Sequence, residues 1–150
     1  MRIALFEPEI AGNVGAVLRL GACLGAAVDL IEPMGFAWDD RRVRRTAMDY
    51  IDHVDIVRHA SFDAFKASIG SRRLLLFTTK SDQSAYNFEF KADDVLLFGK
   101  ESAGVPVAVA DACHARLRIP MRTQVRSMNL AMTVALALGE ALRQTLTLPQ

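Results

Sequence analysis

Residues 2–33 read RIALFEPEIAGNVGAVLRLGACLGAAVDLIEP, and this stretch contains three predicted elements in succession. The apolar run at 2–6 predicts a strand, the small and apolar residues at 12–26 predict a helix, and the run at 27–33 predicts a second strand. Pro33 is expected to stop that strand, because proline lacks the backbone N–H of a sheet ladder. The order strand, helix, strand is typical of a unit whose two strands lie parallel.

The remaining sequence continues this alternation of apolar runs and helical patterns. Further strands are predicted at 53–57, 72–79, 94–99 and 115–120. Further helices are predicted at 39–50, 61–70, 106–113 and 127–145. Ser61 and Ser127 are expected as N-caps, and Pro106 is expected in the first turn of its helix. The sequence therefore predicts an α/β fold with a mostly parallel sheet, helices on both faces, and a single domain over residues 1–150.

The composition is typical of a globular protein. The 150 residues carry a formal net charge of +1, and 51% of them are hydrophobic. This balance excludes a disordered chain and a strong overall attraction to nucleic acid or membranes, so any basic partner surface must be local. The apolar runs are too short to span a membrane, and we expect a cytoplasmic protein. Cys23 and Cys113 lack the spacing of a disulfide framework or a metal site, and we expect both to be buried free thiols.

Most polar residues of chemical interest fall in the loops that follow the predicted strands. Such loops meet at one edge of a parallel sheet, where α/β proteins bind their ligands. One of them, GKESAG at 99–104, has glycines at both ends that let a ligand reach backbone amides, although it is neither a Walker A loop nor a GxGxxG motif. Glu101 within this loop is predicted to be either a solvated loop charge or a site residue.

The helix at 12–26 presents one face of small residues that contains a single arginine. Arg19 shares that face with Gly12, Gly15, Ala16, Ala22, Cys23 and Ala26. It is predicted either as a surface residue of a closely packed helix or as a ligand for an anion or polar substrate. A second stripe of small residues, on the last helix, is Ser127, Ala131, Ala135 and Gly139. One of the two stripes is expected at a subunit interface, and Asn129, in the predicted first turn of the last helix, has little structural use there.

The sequence contains two groups of arginines, one compact and one looser. The first group is Arg41, Arg42, Arg44 and Arg45. The second group is Arg116, Arg118, Arg122 and Arg126. Each group is predicted either as solvated surface charge or as a set of contacts to phosphate groups, and Phe36 and Trp38 beside the first group are able to stack on a base.

Four stretches resemble the motifs of the SPOUT superfamily of RNA methyltransferases. They are EPEIAGNVGAVLR, IEPMGFAWDDRRVRR, LLFGKESAGVP and IPMRTQVRSMNLAMTVALALGEALRQ, and together they extend over nearly the whole chain. The resemblance is greatest to the TrmL type, which methylates the ribose 2′-hydroxyl of the tRNA wobble nucleotide. The residues that carry it, in chain order, are Asn13, Arg19, Gly99, Glu101, Ser127 and Asn129.

This resemblance implies a fold, a reaction and partners. The implied fold is an α/β core whose C-terminal segment passes through a loop to form a trefoil knot, without an appended RNA-binding domain, in a homodimer with active sites at the interface. The implied reaction transfers a methyl group from S-adenosylmethionine, leaving S-adenosylhomocysteine, to the wobble cytidine or carboxymethylaminomethyluridine of leucine tRNA isoacceptors, without a metal. Another tRNA position or ribosomal RNA is the alternative target.

The resemblance also implies roles for individual residues. The implied catalytic residues are Asn13, Arg19, Glu101, Ser127 and Asn129. The implied cofactor-binding residues are Phe77, Thr78, Thr79, Gly99, Glu101, Gly104, Ile119, Ser127 and Met128. The implied RNA-binding residues are Arg41, Arg42, Arg44, Arg45, Arg122 and Arg126. Gly139 departs from the TrmL pattern, which has an aromatic residue in the last helix at this point.

Two other functions are less well supported by the sequence than RNA methyl transfer. A non-catalytic RNA-binding protein on the same fold is expected to have lost Arg19, Glu101 or Asn129, and all three are present. A nucleotide-dependent dehydrogenase is expected to carry GxGxxG after its first strand, and that motif is absent from the sequence.

Overall fold

Six parallel strands form one sheet in the residues that the computed structural model describes, which are 1–39 and 48–150. The strands are β1 (Arg2–Phe6), β2 (Ala27–Ile31), β3 (Ile56–His59), β4 (Leu74–Phe77), β5 (Val95–Phe98) and β6 (Ala115–Leu117). Their order across the sheet is β3-β2-β1-β5-β4-β6, and every pair of neighbours is parallel. The predicted α/β fold with a parallel sheet is confirmed.

Helices pack on both faces of this sheet. They are α1 (Ala11–Leu24), α2 (Phe62–Ile69), α3 (Val107–Asp111) and α4 (Leu130–Gln144). Successive residues of a strand point to opposite faces, so Ile3 and Leu5 of β1 join the core formed with α1 and α4. Ala4 and Phe6 join the second core, formed with α2 and α3. Burial on both faces explains why the strands are continuous apolar runs rather than alternating ones.

The centre of the sheet is the point where the direction of chain connection reverses. From β1 the chain builds β2 and β3 on one side and then crosses over to place β4, β5 and β6 on the other. The loops after β1 and β5 therefore start beside each other and lead to opposite sides, which is where α/β sheets bind ligands. The trefoil knot stays a prediction.

The region before β3 differs from the sequence prediction. The strand predicted at 53–57 lies at Ile56–His59, because a 3-10 helix, Met48–His53, occupies the preceding residues. The helix predicted at 39–50 ends inside this 3-10 helix, and its residues 40–47 lie outside the described residues.

Of the two predicted N-caps, the structure confirms one and contradicts the other. Ser61 caps α2 as predicted, since its hydroxyl oxygen accepts the N–H of Ala64 at 3.1 Å. The cap predicted at Ser127 is wrong: the last helix starts at Leu130, and Asn129 is its N-cap. The amide oxygen of Asn129 reaches two backbone N–H groups of the first turn and so satisfies donors that a helix start leaves unpaired.

The two cysteines differ, contrary to the expectation that both are buried. Cys23 is exposed, because it lies on a different face of α1 from Val14 and Leu18, which enter the core. Cys113 is partly buried, and burial raises the pKa of its thiol to about 11.

The packing of α1 against the start of β2 leaves no room for a side chain at Gly21. A Cβ atom built there would lie 2.7 Å from the carbonyl oxygen of Ala26 and 3.0 Å from a methyl group of Val28. The closest of these atoms belongs to the backbone, which cannot rotate away as the end of a flexible side chain can.

Gly21→Ala is therefore expected to lower the free energy of unfolding by about 1–3 kcal/mol, measured by urea denaturation. Gly139→Ala is the matched control, because a Cβ atom there meets nothing within 4 Å. The control is expected to keep or raise stability by up to about 1 kcal/mol, since alanine favours helix. Equal losses in both variants would contradict the steric explanation.

Candidate active site

A cavity of about 750 Å³ opens at the carboxyl edge of the sheet. The loops after β1, β4, β5 and β6 and the first turn of α4 contribute to its wall. Every residue predicted to bind the cofactor lines it: Phe77, Thr78, Thr79, Gly99, Glu101, Gly104, Ile119, Ser127 and Met128. The volume is within the range of cavities that bind small molecules.

The glycine loop after β5 forms one wall of the cavity. Lys100 and Gly104 exchange two backbone hydrogen bonds, of 3.0 and 2.8 Å, which close the loop on itself. A Cβ atom on Gly99 would lie 2.5 Å from the carbonyl carbon of Gly104, and Gly104 has a φ of +67°. Both positions therefore require glycine, one for close approach of two backbone segments and the other for its left-handed conformation.

The carboxylate of Glu101 accepts hydrogen bonds from three N–H donors of the neighbouring segment. The backbone N–H groups of Glu9 and Ile10 donate at 2.9 and 3.3 Å, and the side-chain amide of Asn13 donates at 3.0 Å. Ile10 is the N-cap residue of α1 and has no side-chain group to cap it. Glu101 thus caps α1 from another loop, and its negative charge lies at the favourable end of the helix dipole.

The same two loops are joined by a second set of contacts in the opposite direction. The carboxylate of Glu9 accepts the backbone N–H of Ser102 at 2.8 Å and its hydroxyl at 2.7 Å. These two hydrogen bonds hold the pKa of Glu9 below its usual value. The ammonium group of Lys100 lies 2.7 Å from the carboxylate of Glu7, which raises the pKa of Lys100. We call these contacts, with those of Glu101, the loop clasp.

A hydrogen bond between two asparagines extends the loop clasp to the last helix. The amide nitrogen of Asn129 donates to the amide oxygen of Asn13 at 2.9 Å. Asn13 is only 8% exposed, so both halves of its amide are used inside the protein. Asn129 therefore has two roles, capping α4 and connecting that helix to α1, which corrects the expectation that a helix has little use for it.

Arg19 lies apart from this network. It is exposed, and its guanidinium group packs over the ring of Tyr50, 5.1 Å from the ring centre. It is not among the described residues that line the cavity of its own chain. It lies six positions after Asn13 in the same helix, or roughly 9 Å along the axis. The structure brings together Asn13, Glu101 and Asn129 and leaves Arg19 outside.

The structure describes only two of the six arginines that are predicted to bind RNA. Arg41, Arg42, Arg44 and Arg45 lie outside the described residues. Arg122 and Arg126 are exposed and line a smaller cavity beside the first.

Sequence reasoning missed Glu7, Glu9, Lys100 and Ser102. The available signal was the pair of glutamates that directly follows a buried strand, in the same kind of loop that holds Glu101. Within residues 1–39 and 48–150, no group of three His, Cys, Asp or Glu side chains is arranged to hold a metal ion. The helices in that same part of the chain are all too short or too polar to cross a bilayer.

The comparisons with known proteins decide the family. The model of the SpoU rRNA methylase family matches residues 1–139. The chain belongs to the SpoU methylase family. The predicted resemblance to the RNA methyltransferases of this type is confirmed.

Relatives within the SpoU methylase family match over nearly their whole length. A tRNA (cytidine(34)-2′-O)-methyltransferase of Beijerinckia indica is 51% identical over 144 residues, which are 95% of this chain and 90% of the relative. A solved structure described as giving insights into the 2-OH methylation of C/U34 on tRNA has a TM-score of 0.91 at 40% identity, covering 95% of this chain and 94% of that one.

A more distant SpoU methyltransferase structure contains the methyl donor. AviRb from Streptomyces viridochromogenes, in complex with the cofactor AdoMet, has a TM-score of 0.82 at 26% identity. The match covers 96% of this chain and 57% of AviRb.

Acid is expected to weaken the loop clasp through Glu9. Because the pKa of Glu9 is lowered in the folded state, its stabilising contribution is present above the ordinary value of 4.5 and is lost as the pH falls through the lowered value. The difference in thermal midpoint between the wild type and Glu9→Gln should therefore narrow on acidification from pH 7 to about pH 3. Glu89→Gln, which removes an exposed carboxylate outside the clasp, is the control for the loss of a surface charge. A constant difference for Glu9→Gln would contradict the assignment.

Proposed function

We propose that this chain transfers a methyl group from S-adenosylmethionine to the ribose 2′-hydroxyl of nucleotide 34 in tRNA. The observation that carries the proposal is the 51% identity over 95% of the chain to a relative with that named activity. The cavity at the carboxyl edge of the sheet, lined by the motif residues, supports it independently.

The cavity fits the methyl donor chemically. Its wall combines apolar side chains, such as Phe98 and Ile119, with the backbone groups of the glycine loop, which suit an adenine ring and a polar amino-acid tail. Phe77, Thr78, Thr79, Gly99, Gly104, Ser127 and Met128 complete the proposed cofactor site. S-adenosylmethionine supplies a methyl group already activated on a sulfonium. The task of the protein is then mainly to position the ribose hydroxyl.

Glu101 acts by holding other groups in place. Its carboxylate accepts three N–H donors, which fix its orientation. Through Asn13 and Asn129 it fixes the starts of α1 and α4 at the cavity wall. Ser127, exposed at the cavity just before α4, completes the proposed set of orienting residues.

Arg19 assists the hydroxyl that attacks the methyl group. An arginine stays protonated under ordinary conditions, so it lowers the pKa of the ribose hydroxyl or binds the adjacent phosphate. Its position outside the cavity of its own chain supports a homodimer in which α1 of one subunit faces the site of the other. The exposed apolar side chains of Met132 and Leu136 on α4, 62% and 42% exposed, are available for the same interface.

The proposed RNA substrate is a particular nucleotide in one group of tRNAs. The wobble cytidine or carboxymethylaminomethyluridine of leucine tRNA isoacceptors is the substrate, and the reaction takes place in the cytoplasm. A second candidate is a ribose of ribosomal RNA or of another tRNA position, which the rRNA methylase name of the family favours.

Mass spectrometry of nucleosides tests the target. A deletion strain is expected to lose 2′-O-methylation at position 34 of its leucine tRNAs, and a plasmid copy of the gene should restore it. Unchanged methylation at position 34 would show that the tRNA assignment is wrong. Loss of a ribosomal RNA ribose methylation instead would support the second candidate.

Arg19→Ala is expected to slow methyl transfer by about a hundredfold or more, in the range that proton-transfer assistance contributes. Binding of S-adenosylmethionine, measured by calorimetry, should be unchanged because Arg19 does not line the cavity. The matched control is Arg72→Gln, an exposed arginine that precedes β4 at the opposite edge of the sheet. A wild-type rate in Arg19→Ala, or an equal loss of cofactor binding, would overturn the role given to Arg19.

A further inference from the structure

The segment between β6 and α4 borders a second, smaller cavity of about 140 Å³ that is open to solvent. Its lining residues are Thr79, Arg118, Ile119, Met121, Arg122, Thr123, Val125 and Arg126. The first four of these also line the larger cavity, so the two cavities share a wall.

The lining of the small cavity is strongly one-sided in charge. Arg118, Arg122 and Arg126 contribute three positive charges, and no acidic residue is present among the lining residues. Within the part of the chain that the structure describes, none of the three has a carboxylate partner. Arg2 and Arg73, by contrast, are each held by an aspartate. Three exposed arginines that line one cavity without a carboxylate partner make it a favourable place for an anion.

The backbone of this segment is hydrogen-bonded at two places. The N–H of Arg118 donates to the carbonyl of Gln83 at 2.9 Å, and its own carbonyl accepts the N–H of Ala85 at 2.9 Å. Arg118 thereby extends the sheet beyond β6. A turn closed by the N–H of Val125 and the carbonyl of Arg122, at 3.2 Å, brings the other part of the segment back toward it.

The side chains that line the small cavity offer donors suited to an anion. The donors available are guanidinium groups, which match phosphate oxygens in pairs, and the hydroxyls of Thr79 and Thr123.

We propose that Arg118, Arg122 and Arg126 bind a phosphodiester group of the RNA substrate next to the nucleotide that is methylated. This inference rests on the proposed function and names the binding site for one part of its substrate. Because Arg118 and Thr79 border both cavities, a phosphate held there places the adjoining ribose at the mouth of the cavity assigned to the cofactor.

The experiment compares the triple variant Arg118→Gln, Arg122→Gln, Arg126→Gln with the wild type and with Arg72→Gln. It measures the KM and kcat for tRNA, calorimetric binding of S-adenosylmethionine, and tRNA binding by fluorescence anisotropy at several salt concentrations. Circular dichroism checks that each variant is folded. The single variants Arg118→Gln and Arg118→Lys separate the effect of the fork-shaped guanidinium from that of positive charge alone.

The triple variant is expected to bind tRNA at least about tenfold more weakly, with KM affected more than kcat and with cofactor binding unchanged. Its plot of log affinity against log salt should be shallower by about 0.7 for each lost phosphate contact on a single strand. Arg118→Lys should recover only part of the affinity lost in Arg118→Gln. At constant ionic strength, inorganic phosphate should compete with tRNA for the wild type but not for the triple variant.

Three results would overturn the proposal. They are wild-type tRNA affinity and salt dependence in the triple variant, an equal effect in Arg72→Gln, and a loss of cofactor affinity with normal tRNA binding. The last would assign the arginines to the carboxylate of S-adenosylmethionine. Failure of the proposed function can be told apart from failure of this inference. If the wild type methylates no tRNA, the proposed function is wrong, but the anisotropy measurements still show whether the three arginines bind tRNA.

Discussion

Three N–H groups converge on the carboxylate of Glu101, and the geometry of the candidate active site depends on this contact. Without this contact, the loop after β5 would be held near the start of α1 only by its neighbours in the sheet and by the contacts of Glu9 and Glu7. The start of α1 would also lack a cap, because Ile10 has no polar side chain to supply one. One carboxylate meets both needs, and a charged acceptor forms stronger hydrogen bonds than a neutral one.

The contact extends to three elements that are distant in sequence. Asn13 connects Glu101 to Asn129, so that the starts of α1 and α4 are fixed against the glycine loop. Glu9 and Ser102 add a second connection between the same two loops. A wall held in this way keeps its shape when a ligand binds, which is useful where catalysis depends on positioning more than on proton transfer to the protein. Arg19 stays outside the wall formed by its own chain.

Much of the fold could be read from the sequence because burial leaves a strong pattern. The strands are short apolar runs, and each predicted strand overlaps the observed one, although that at 53–57 shares only two residues with it. The strand at Ile56–His59 was predicted too early, since a 3-10 helix has no apolar period by which to recognise it. The sequence predicts Ser127 as the cap, whereas Asn129 is the observed one, because both residue types cap helices equally well and only the path of the chain decides between them.

The sequence by itself determined the parallel α/β fold and the motif residues that identify the family, because both depend on residue type and order. The tertiary structure alone decided what those residues do. It showed that the Glu101 carboxylate is occupied by N–H groups, that Glu9 takes part beside it, and that three arginines surround one small cavity without a counter-charge. These contacts join residues about 90 or more positions apart, or depend on the path of an irregular segment. Hydrogen bonds require atoms within about 3 Å of each other, and linear spacing cannot reveal that proximity.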